Sequence, residues 1–369
     1  MKRADLIFDR PPDLAATAPA ERRGLNRDEV RLLVSAPGGH THAQFRDLAD
    51  FLQPGDLLVV NHSTTLPASL PAAARLGVGD FTLNLSTNFG HGLWVAEPRL
   101  SSAQPGPLPI TAGERFTAAG LDARFIRPYP GLERLWFVSI PGDVSTAMGQ
   151  FGSPIRYGYV SESYPLDYYQ TIFARVPGSA EMPSAARPFT RRVLDSLSDT
   201  GVEIAGIVLH TGVSSLEVEA EEVESHPLCP EPYIVPAATA QAVNTARREG
   251  RRVIAVGTTA VRALESAWDG RQVRAASGFT RLYIHPRRGV FTVDGLISGL
   301  HDPVTSHLAM LYAIAGQDMI RSAYAEAVHE GYLWHEFGDS HLILADQRAN
   351  QQYYLPVRNP VHAVSTMVA

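Results

Sequence analysis

Apolar positions follow different spacings along this chain, and each spacing predicts a different kind of element. In the first region, apolar side chains recur at helical intervals over residues 43–52, and Pro54 and Gly55 then interrupt the pattern. A largely apolar run over residues 56–60 follows directly and is typical of a buried strand. This region therefore predicts a helix followed closely by a strand.

Between Pro67 and Pro141 the pattern changes to short runs in which apolar and polar residues alternate. Residues 81–86 and 93–95 show this alternation, and glycines and prolines separate the runs. Alternation of this kind predicts short strands with one buried face. We therefore expect residues 67–141 to form a small antiparallel β-barrel or sandwich.

Helical and strand patterns alternate in the remainder of the chain, after Gly152. They predict three helices and two strands, over about 188–197, 238–248 and 259–268 and over 202–209 and 252–256, respectively. This rhythm is typical of a sheet covered by helices. We predict an α/β main domain made of residues 1–66 and 142–369, with an inserted antiparallel β-barrel domain at 67–141.

Composition places the chain among soluble globular proteins. Of its 369 residues, 45% are hydrophobic and 19% are charged, and no apolar run is long enough to cross a membrane. We therefore predict a cytoplasmic protein without a signal peptide or membrane span. The formal net charge of −6 argues against a globally basic nucleic-acid binder but leaves room for a local basic face.

Two residue types are nearly absent, which excludes several chemistries. Cys229 is the only cysteine, so the chain cannot form an internal disulfide or a zinc site with several cysteine ligands. Lys2 is the only lysine. A lysine at that position is a poor Schiff-base former, so lysine-based covalent catalysis, pyridoxal chemistry and a P-loop are excluded.

Polar side chains follow four apolar runs, at the edge where ligands of open α/β sheets collect. The four polar segments begin at Asn61, His210, Gly257 and Ser298. Such segments would meet if their strands were parallel. This edge is therefore the first place to look for a site.

The segment Gly257-Thr258-Thr259 leads directly into a predicted helix. A glycine allows close approach of a ligand to the backbone, and hydroxyl groups and free N–H groups at a helix start offer donors to an anion or carboxylate. Arg262 would face the same opening one turn later. The alternative is that Thr258 only caps the helix.

Histidines and a carboxylate offer further candidate chemistry. His210 follows a predicted strand and is either a base or substrate donor, or a satisfied structural histidine. His226 and Glu231 flank a rigid stretch at 227–230, which either holds a carboxylate in place or forms a surface turn. Both interpretations stay open, because only distances rank such residues.

Two other patterns are weaker. His335, Asp339 and His341 match a metal site of two histidines and one carboxylate only if residues 339 and 341 share one face of a regular strand, and we expect no metal. Four arginine pairs either form a phosphate-binding face together or are separate solvated turns and helix ends. These pairs begin at residues 191, 247, 251 and 287.

Several longer segments have a specific order and spacing along nearly the whole chain. They are residues 54–61, 169–174, 209–212, 231–233, 255–266 and 337–339, together with His226, His301 and Pro303. In these segments the chain resembles the S-adenosylmethionine:tRNA ribosyltransferase-isomerase family. The resemblance implies an α/β domain with an inserted β-barrel, in agreement with the pattern above.

The resemblance also implies a reaction. A base removes a proton next to the sulfonium of S-adenosylmethionine, adenine and methionine leave, and the rearranged ribosyl group joins the aminomethyl group of a 7-deazaguanine (preQ1) in tRNA, giving epoxyqueuosine. The implied partners are S-adenosylmethionine and preQ1-modified tRNA, the latter bound through a local arginine face. The resemblance favours a monomer or a weak dimer.

Carried onto this sequence, the resemblance suggests residue roles. His210 and His301 are the candidates for proton transfer, and Glu231 would orient the ribose or acceptor amine. By residue type, any of His210, His226, His301 and Glu231 could be the base. S-adenosylmethionine would lie at Gly257, Thr258, Thr259 and Arg262. The substrate-binding positions would be Asn61, His226, Tyr169 and Gln170.

Some segments depart from the family pattern where it is most distinctive. The family's Pro-Thr-Ala-Gly-Leu-His-Phe-Thr reads Pro-Ser-Ala-Ala-Arg-Pro-Phe-Thr at residues 183–190, so Pro188 replaces a histidine and cannot transfer a proton. The other altered segments are 61–65, 154–159, 212–216 and 298–303. They leave three hypotheses: the family reaction, a reaction of S-adenosylmethionine with another acceptor or its cleavage, and a non-catalytic binding protein.

Overall fold

The computed structural model describes residues 1–74, 79–101, 104–213 and 217–345. Strands in this part of the chain are β1 (Arg31–Ala36), β2 (Gly39–Gln44), β3 (Leu57–Asn61), β4 (Ser63–Thr65), β5 (Ser69–Ala74), β6 (Asp80–Gly90), β7 (Leu93–Ser101), β8 (Gln104–Pro105), β9 (Arg115–Ala118), β10 (Leu121–Tyr129), β11 (Leu132–Ser139), β12 (Val176–Ser179), β13 (Glu203–Leu209), β14 (Glu231–Val235), β15 (Val253–Val256), β16 (Ala276–Thr280), β17 (Gly295–Gly299) and β18 (Ser340–Leu344).

Helices occur in two forms. The α-helices are α1 (Val144–Phe151), α2 (Arg191–Asp199), α3 (Ala237–Glu249), α4 (Thr258–Ser266), α5 (Ser306–Ala315) and α6 (Gln317–His329). The 3-10 helices are Arg3–Leu6, Pro12–Leu14, Ala20–Arg23, Arg27–Glu29, Phe45–Phe51, Leu166–Tyr169, Ser184–Ala186 and Val223–Ser225. Among the described residues, no helix combines the length and apolar character that a membrane crossing needs.

The larger sheet has nine strands in the order β16-β14-β13-β3-β15-β17-β18-β1-β2. Its centre, from β13 through β3 and β15 to β17, is parallel, whereas β14 and β18 run antiparallel to their inner neighbours. Successive residues of β3 join two cores on opposite faces, because Leu57 and Val59 pack with α3–α6, while Leu58 and Val60 pack with α2. Burial on both faces explains the uninterrupted apolar run at 57–60.

The smaller sheet closes into a barrel. Six antiparallel strands follow the order β11-β10-β9-β5-β6-β7, and β7 pairs with β11 to close the barrel. The short strand β8 pairs with β7 in antiparallel orientation. Alternate side chains fill the interior, where the rings of Phe116 and Phe125 stack at 4.3 Å between centroids. The fold class predicted from the sequence, an α/β domain with an inserted antiparallel β-barrel, is therefore confirmed.

Most element predictions hold, and the differences have local causes. The region predicted as a helix at 43–52 is helical, but it forms a 3-10 turn at Phe45–Phe51. The helix expected from 188 begins at Arg191, because the Thr190 hydroxyl accepts the Val193 N–H and caps the first turn. The barrel strands lie between Ser69 and Ser139, and the domain limits at 66/67 and 141/142 stay a prediction.

Candidate active site

The four polar segments predicted from the sequence do meet at one edge of the large sheet. The carboxyl ends of β3, β13, β15 and β17 share this edge because these strands are parallel. The antiparallel strands β14 and β18 contribute their amino ends, which bring Glu231 and His341 to the same edge. The topology therefore gathers residues that lie far apart in the chain.

A cavity of about 1130 Å³, partly open to solvent, lies at the centre of this edge. Gly257, Thr258 and Thr259 line it. Three of the five altered segments also contribute to its wall, namely 154–159, 183–190 and 298–303. The retained loop and the altered segments therefore face the same space. Residues 214–216 of a further altered segment lie outside the described residues.

The loop before α4 has the conformation that a glycine permits. Gly257 is the N-cap residue, with φ 89° and ψ 153°, and its N–H donates to the Ile297 carbonyl at 2.8 Å. Thr258 is the first helical residue and makes no cap, so the interpretation of Thr258 as the N-cap is wrong. The first turn of α4 presents Thr258 and Thr259 to the cavity.

Arg262 faces a different space from the one predicted. It lines a neighbouring cavity of about 560 Å³ with His226 and Glu231. Arg262 Nη1 donates to Glu231 Oε2, and Glu231 Oε1 accepts the Gly212 N–H at 2.9 Å. Arg262 Nε and Nη2 are buried and have no acceptor within the described residues. His307 lines both cavities, so the two spaces adjoin there.

His301 lies at the wall of the large cavity, as a proton carrier requires. Its Nε2 is 2.7 Å from the Ser298 hydroxyl, and its ring stacks on His307 with centroids 4.8 Å apart. Burial, together with the nearby histidines 307, 335 and 341, holds the pKa of His301 well below its usual value. Burial and the positive charge of Arg262 lower the pKa of His307 to about 4. Both rings are therefore neutral at physiological pH.

His210 opens onto another space. It lines a cleft of about 1340 Å³ whose other residues include Trp94 and Met148, beside the barrel. Its Nδ1 is 2.8 Å from the Ser63 hydroxyl, and burial lowers its pKa. A Cβ atom at Gly178 would collide with the imidazole, so glycine is required there. The structure thus does not bring His210 into the cavity of His301.

The predicted substrate-binding residues hold the framework together. Asn61 accepts the N–H groups of Ser63 and Leu209, each at 3.0 Å, and donates to the Leu209 carbonyl at 2.8 Å. The Gln170 side chain accepts a hydrogen bond from the Thr65 N–H and donates one to the Thr65 carbonyl. The Tyr169 carbonyl accepts a hydrogen bond from the Thr65 hydroxyl. His226 Nδ1 accepts the Glu219 N–H at 3.4 Å, and burial lowers its pKa. Of the four, His226 alone lines one of the two adjoining cavities.

Side chains that the sequence reasoning missed complete the large cavity. They include two carboxylates and two tyrosines, Glu181, Glu336, Tyr157 and Tyr159. Burial, and then the charge of Glu181, raises the pKa of Glu336 to about 8. The sequence did contain one indication that these residues matter. Tyr157 and Tyr159 lie in a segment that departs from the family pattern, and Glu181 lies just before another such segment.

The three residues considered as metal ligands have other partners. Asp339 accepts the N–H groups of Arg31 and Leu333, His341 contacts the Ser35 hydroxyl at 2.8 Å, and His335 lies 3.4 Å from Asp302. Among the described residues, no group of three or more histidine, cysteine or acidic side chains is arranged to hold a metal ion.

The arginine pairs are largely occupied by acids. Arg191 pairs with Asp195, Arg192 with Asp28, Arg251 with Glu203 and Glu249, Arg252 with Asp56, and Arg288 with Glu265. Their charges are therefore partly neutralised within the protein. This leaves less of a phosphate-binding face than the sequence suggested.

Comparison with known proteins bears on this arrangement. A family profile described as "Queuosine biosynthesis protein" matches residues 3–343. The chain belongs to this family. The resemblance inferred from the sequence segments is thereby confirmed.

The family's curated relatives are similar over nearly their full length. An S-adenosylmethionine:tRNA ribosyltransferase-isomerase of Thermus thermophilus is 36% identical over 347 residues, which cover 90% of this chain and 97% of the relative. One of the same name from Carboxydothermus hydrogenoformans is 36% identical over 348 residues, covering 93% and 100%. A crystal structure of S-adenosylmethionine tRNA ribosyltransferase from Thermotoga maritima is 27% identical, with a TM-score of 0.51 and coverage of 92% of this chain and 100% of that one.

Proposed function

We propose that this chain is an S-adenosylmethionine:tRNA ribosyltransferase-isomerase of queuosine biosynthesis. Relatives with this name match it at 36% identity over nearly their whole length, which is the observation that carries the proposal. The reaction transfers and rearranges the ribosyl group of S-adenosylmethionine onto preQ1 in tRNA and releases adenine and methionine. Because its substrate is a tRNA, we expect the enzyme to act in the cytoplasm.

The large cavity offers the groups that the first step needs. A base must remove a proton next to the sulfonium, and His301 is a neutral imidazole at the cavity wall. The Ser298 hydroxyl, 2.7 Å from Nε2, fixes the ring's orientation. We therefore favour His301 over His210, which lines a separate cleft.

The donor would span the two adjoining cavities. The first turn of α4 suits an anion, since the helix start carries partial positive charge and free N–H groups. Arg262, one turn further along the same helix, has two buried donors without acceptors, and a carboxylate would satisfy both. We place the methionine carboxylate between Gly257–Thr259 and Arg262, and the ribose in the larger space.

The test is to follow free adenine and methionine by mass-resolved chromatography after incubation with S-adenosylmethionine. Reactions with preQ1-modified tRNA are compared with reactions containing the same tRNA without preQ1, or none. Release that depends on preQ1-modified tRNA is expected. Release of neither product under any condition would contradict the proposal.

A second candidate keeps the donor and exchanges the acceptor. It is favoured by the three altered segments that line the same cavity as the retained loop, and by Pro188 in place of a histidine. Adenine release without any tRNA would support it. Release only with preQ1-modified tRNA would exclude it.

A further inference from the structure

One wall of the large cavity is a column of flat rings. Tyr159 stacks on His335 with centroids 3.9 Å apart and an interplanar angle of 10°, and on Tyr157 with centroids 6.0 Å apart and an angle of 13°. His335 has φ 75°, an unusual backbone conformation for a residue other than glycine. The segment is therefore held in a strained form that keeps this ring in the column.

Two carboxyl groups stand in the same cavity. Glu181 accepts a hydrogen bond from the Tyr157 hydroxyl. Glu336 Oε1 is buried and has no hydrogen-bond partner among the described residues. A buried carboxyl oxygen without a donor is costly, and a ligand that brings an N–H group would supply the missing hydrogen bond.

The surroundings of Glu336 favour a cation over an anion. The groups that act on its charge are Glu181, which opposes ionisation, and Arg187, which favours it. Arg187 is itself held by both oxygens of Glu21, at 3.1 and 2.8 Å. The other titratable residues of this cavity are Tyr157, Tyr159, Glu217, His301, Asp302, His307 and His335. Among them Asp302 already faces Arg10 at 2.7 Å.

We propose that Tyr157, Tyr159, Glu181 and Glu336 form the acceptor subsite, that it takes a flat ring carrying a primary ammonium group, and that Glu336 is the base that deprotonates this group. The ring would pack against the tyrosines, and the ammonium would lie between the two carboxyl groups. This inference rests on the proposed function. Tyr157 and Tyr159 lie in a segment that departs from the family pattern, Glu181 lies just before another such segment, and Glu336 directly precedes the matching segment 337–339.

The proposed step is a single proton transfer. The Glu336 carboxylate takes one proton from the ammonium and becomes a neutral carboxylic acid, while the nitrogen regains its lone pair. The nitrogen then has the free electron pair that a nucleophile needs. No further reactant is needed for this step.

Binding of the free base 7-aminomethyl-7-deazaguanine tests the subsite without turnover, with 7-methyl-7-deazaguanine as the uncharged control. By calorimetry at pH 7 we expect wild type to bind the amine at least about tenfold more tightly, which is roughly 1.4 kcal/mol. Glu336→Gln should remove this preference and leave S-adenosylmethionine affinity unchanged. Glu162→Gln, at an exposed position, should behave as wild type.

A measurement on wild type alone covers the case in which the variant fails to fold. Because the pKa of Glu336 is raised to about 8, the group is largely protonated at pH 7, and an ammonium beside it should drive the proton into the buffer. The heat of amine binding should therefore depend on the ionisation enthalpy of the buffer, with net proton release. Proton uptake, or no exchange, would overturn the proposal.

Other outcomes separate this inference from the proposed function. If Glu336→Gln keeps the preference for the amine, the subsite is wrong even if tRNA-dependent adenine release is intact. If Glu336→Gln instead lowers the affinity for S-adenosylmethionine, the carboxyl group binds the donor and the inference fails. If wild type prefers the amine but releases no adenine with preQ1-modified tRNA, the subsite stands and the proposed reaction fails.

Discussion

At the scale of single residues, the site contains charges that are only half satisfied within the protein. Glu231 and Arg262 neutralise each other, yet the guanidinium keeps two buried nitrogens without acceptors. Glu336 likewise keeps a buried oxygen without a donor. Buried groups of this kind are rare in proteins and are typical of binding sites. They lie in the two adjoining cavities, the basic group in the smaller one and the acidic group in the larger one.

Replacement of Arg262 tests the basic end. Arg262→Ala should weaken S-adenosylmethionine binding at least about tenfold in calorimetry, because a carboxylate loses a bidentate partner. The change also leaves Glu231 buried without its cation, which costs roughly 3–5 kcal/mol of folding stability. The double variant Arg262→Met with Glu231→Gln removes that penalty and should bind equally weakly. Affinity equal to that of the exposed control Arg271→Ala would remove Arg262 from the donor site.

Replacement of His301 tests the assigned base. His301→Gln should lower kcat about 100-fold, as expected for loss of a general base, with little change in KM for S-adenosylmethionine. A base acts above its own pKa, and the pKa of His301 lies well below its usual 6.5. Between pH 6 and 8 the kcat profile of wild type should therefore show no fall centred near pH 6.5 that His301→Gln removes. A fall centred near pH 6.5 would contradict the assignment.

At the scale of elements, the start of α4 depends on one backbone conformation. Gly257 has φ 89° and ψ 153°, a region that side chains other than glycine avoid. The same residue is tied to β17 through the Ile297 carbonyl. The position of Thr258 and Thr259 at the cavity therefore follows from this residue.

Gly257→Ala should destabilise the fold by about 1–3 kcal/mol in denaturant unfolding, which is the usual cost of such a conformation. S-adenosylmethionine affinity should fall with it, since the first turn of α4 must shift. Gly149→Ala is the matched control, because a Cβ atom there meets nothing within 4 Å and lies in a helix. Equal stability of the two variants would show that the strain is absent.

Elements were predictable from the sequence where local signals act alone. The apolar run of β3 and the glycine after α3 determine their elements without help from distant residues. Which cavity a residue faces when it follows a strand depends on how the whole chain folds around that strand. His210 and His301 both follow parallel strands, yet they line different cavities. Glu336 was missed because a glutamate next to Phe337 gives no sign of burial until distant segments cover it.

At the scale of the whole molecule, the barrel carries two adjacent arginines that could add to a phosphate-binding face. Arg115 and Arg124 are cross-strand neighbours on β9 and β10, and both are exposed. Neither has an ion-pair partner within the part of the chain that the structure describes. Asp122 lines the same cleft as both arginines but makes an ion pair with neither. Adjacent like charges are costly unless an anion joins them, so we expect the barrel to contact the phosphates of tRNA.

The double variant Arg115→Gln with Arg124→Gln should weaken tRNA binding. The slope of the logarithm of the binding constant against the logarithm of salt concentration is negative, and its magnitude should decrease by about 1 to 2. S-adenosylmethionine binding should stay unchanged, since neither residue lines the two adjoining cavities. Arg191→Gln serves as control, because its charge is shared with Asp195. Fluorescence anisotropy over a range of salt concentrations gives both quantities. An unchanged slope would place the tRNA elsewhere.

The pairing of β1 has a consequence for the order in which the protein matures. Leu32 in β1 pairs with Ser340 in β18, so within the described residues the hairpin of β1 and β2 joins the large sheet through a strand that is made long after the hairpin. His335 and Glu336 lie just before that strand. On the ribosome, the early hairpin must wait for its partner, and the same late segment completes the cavity. A nascent chain is therefore expected to remain inactive until its sheet closes, so that assembly and catalytic competence arrive together.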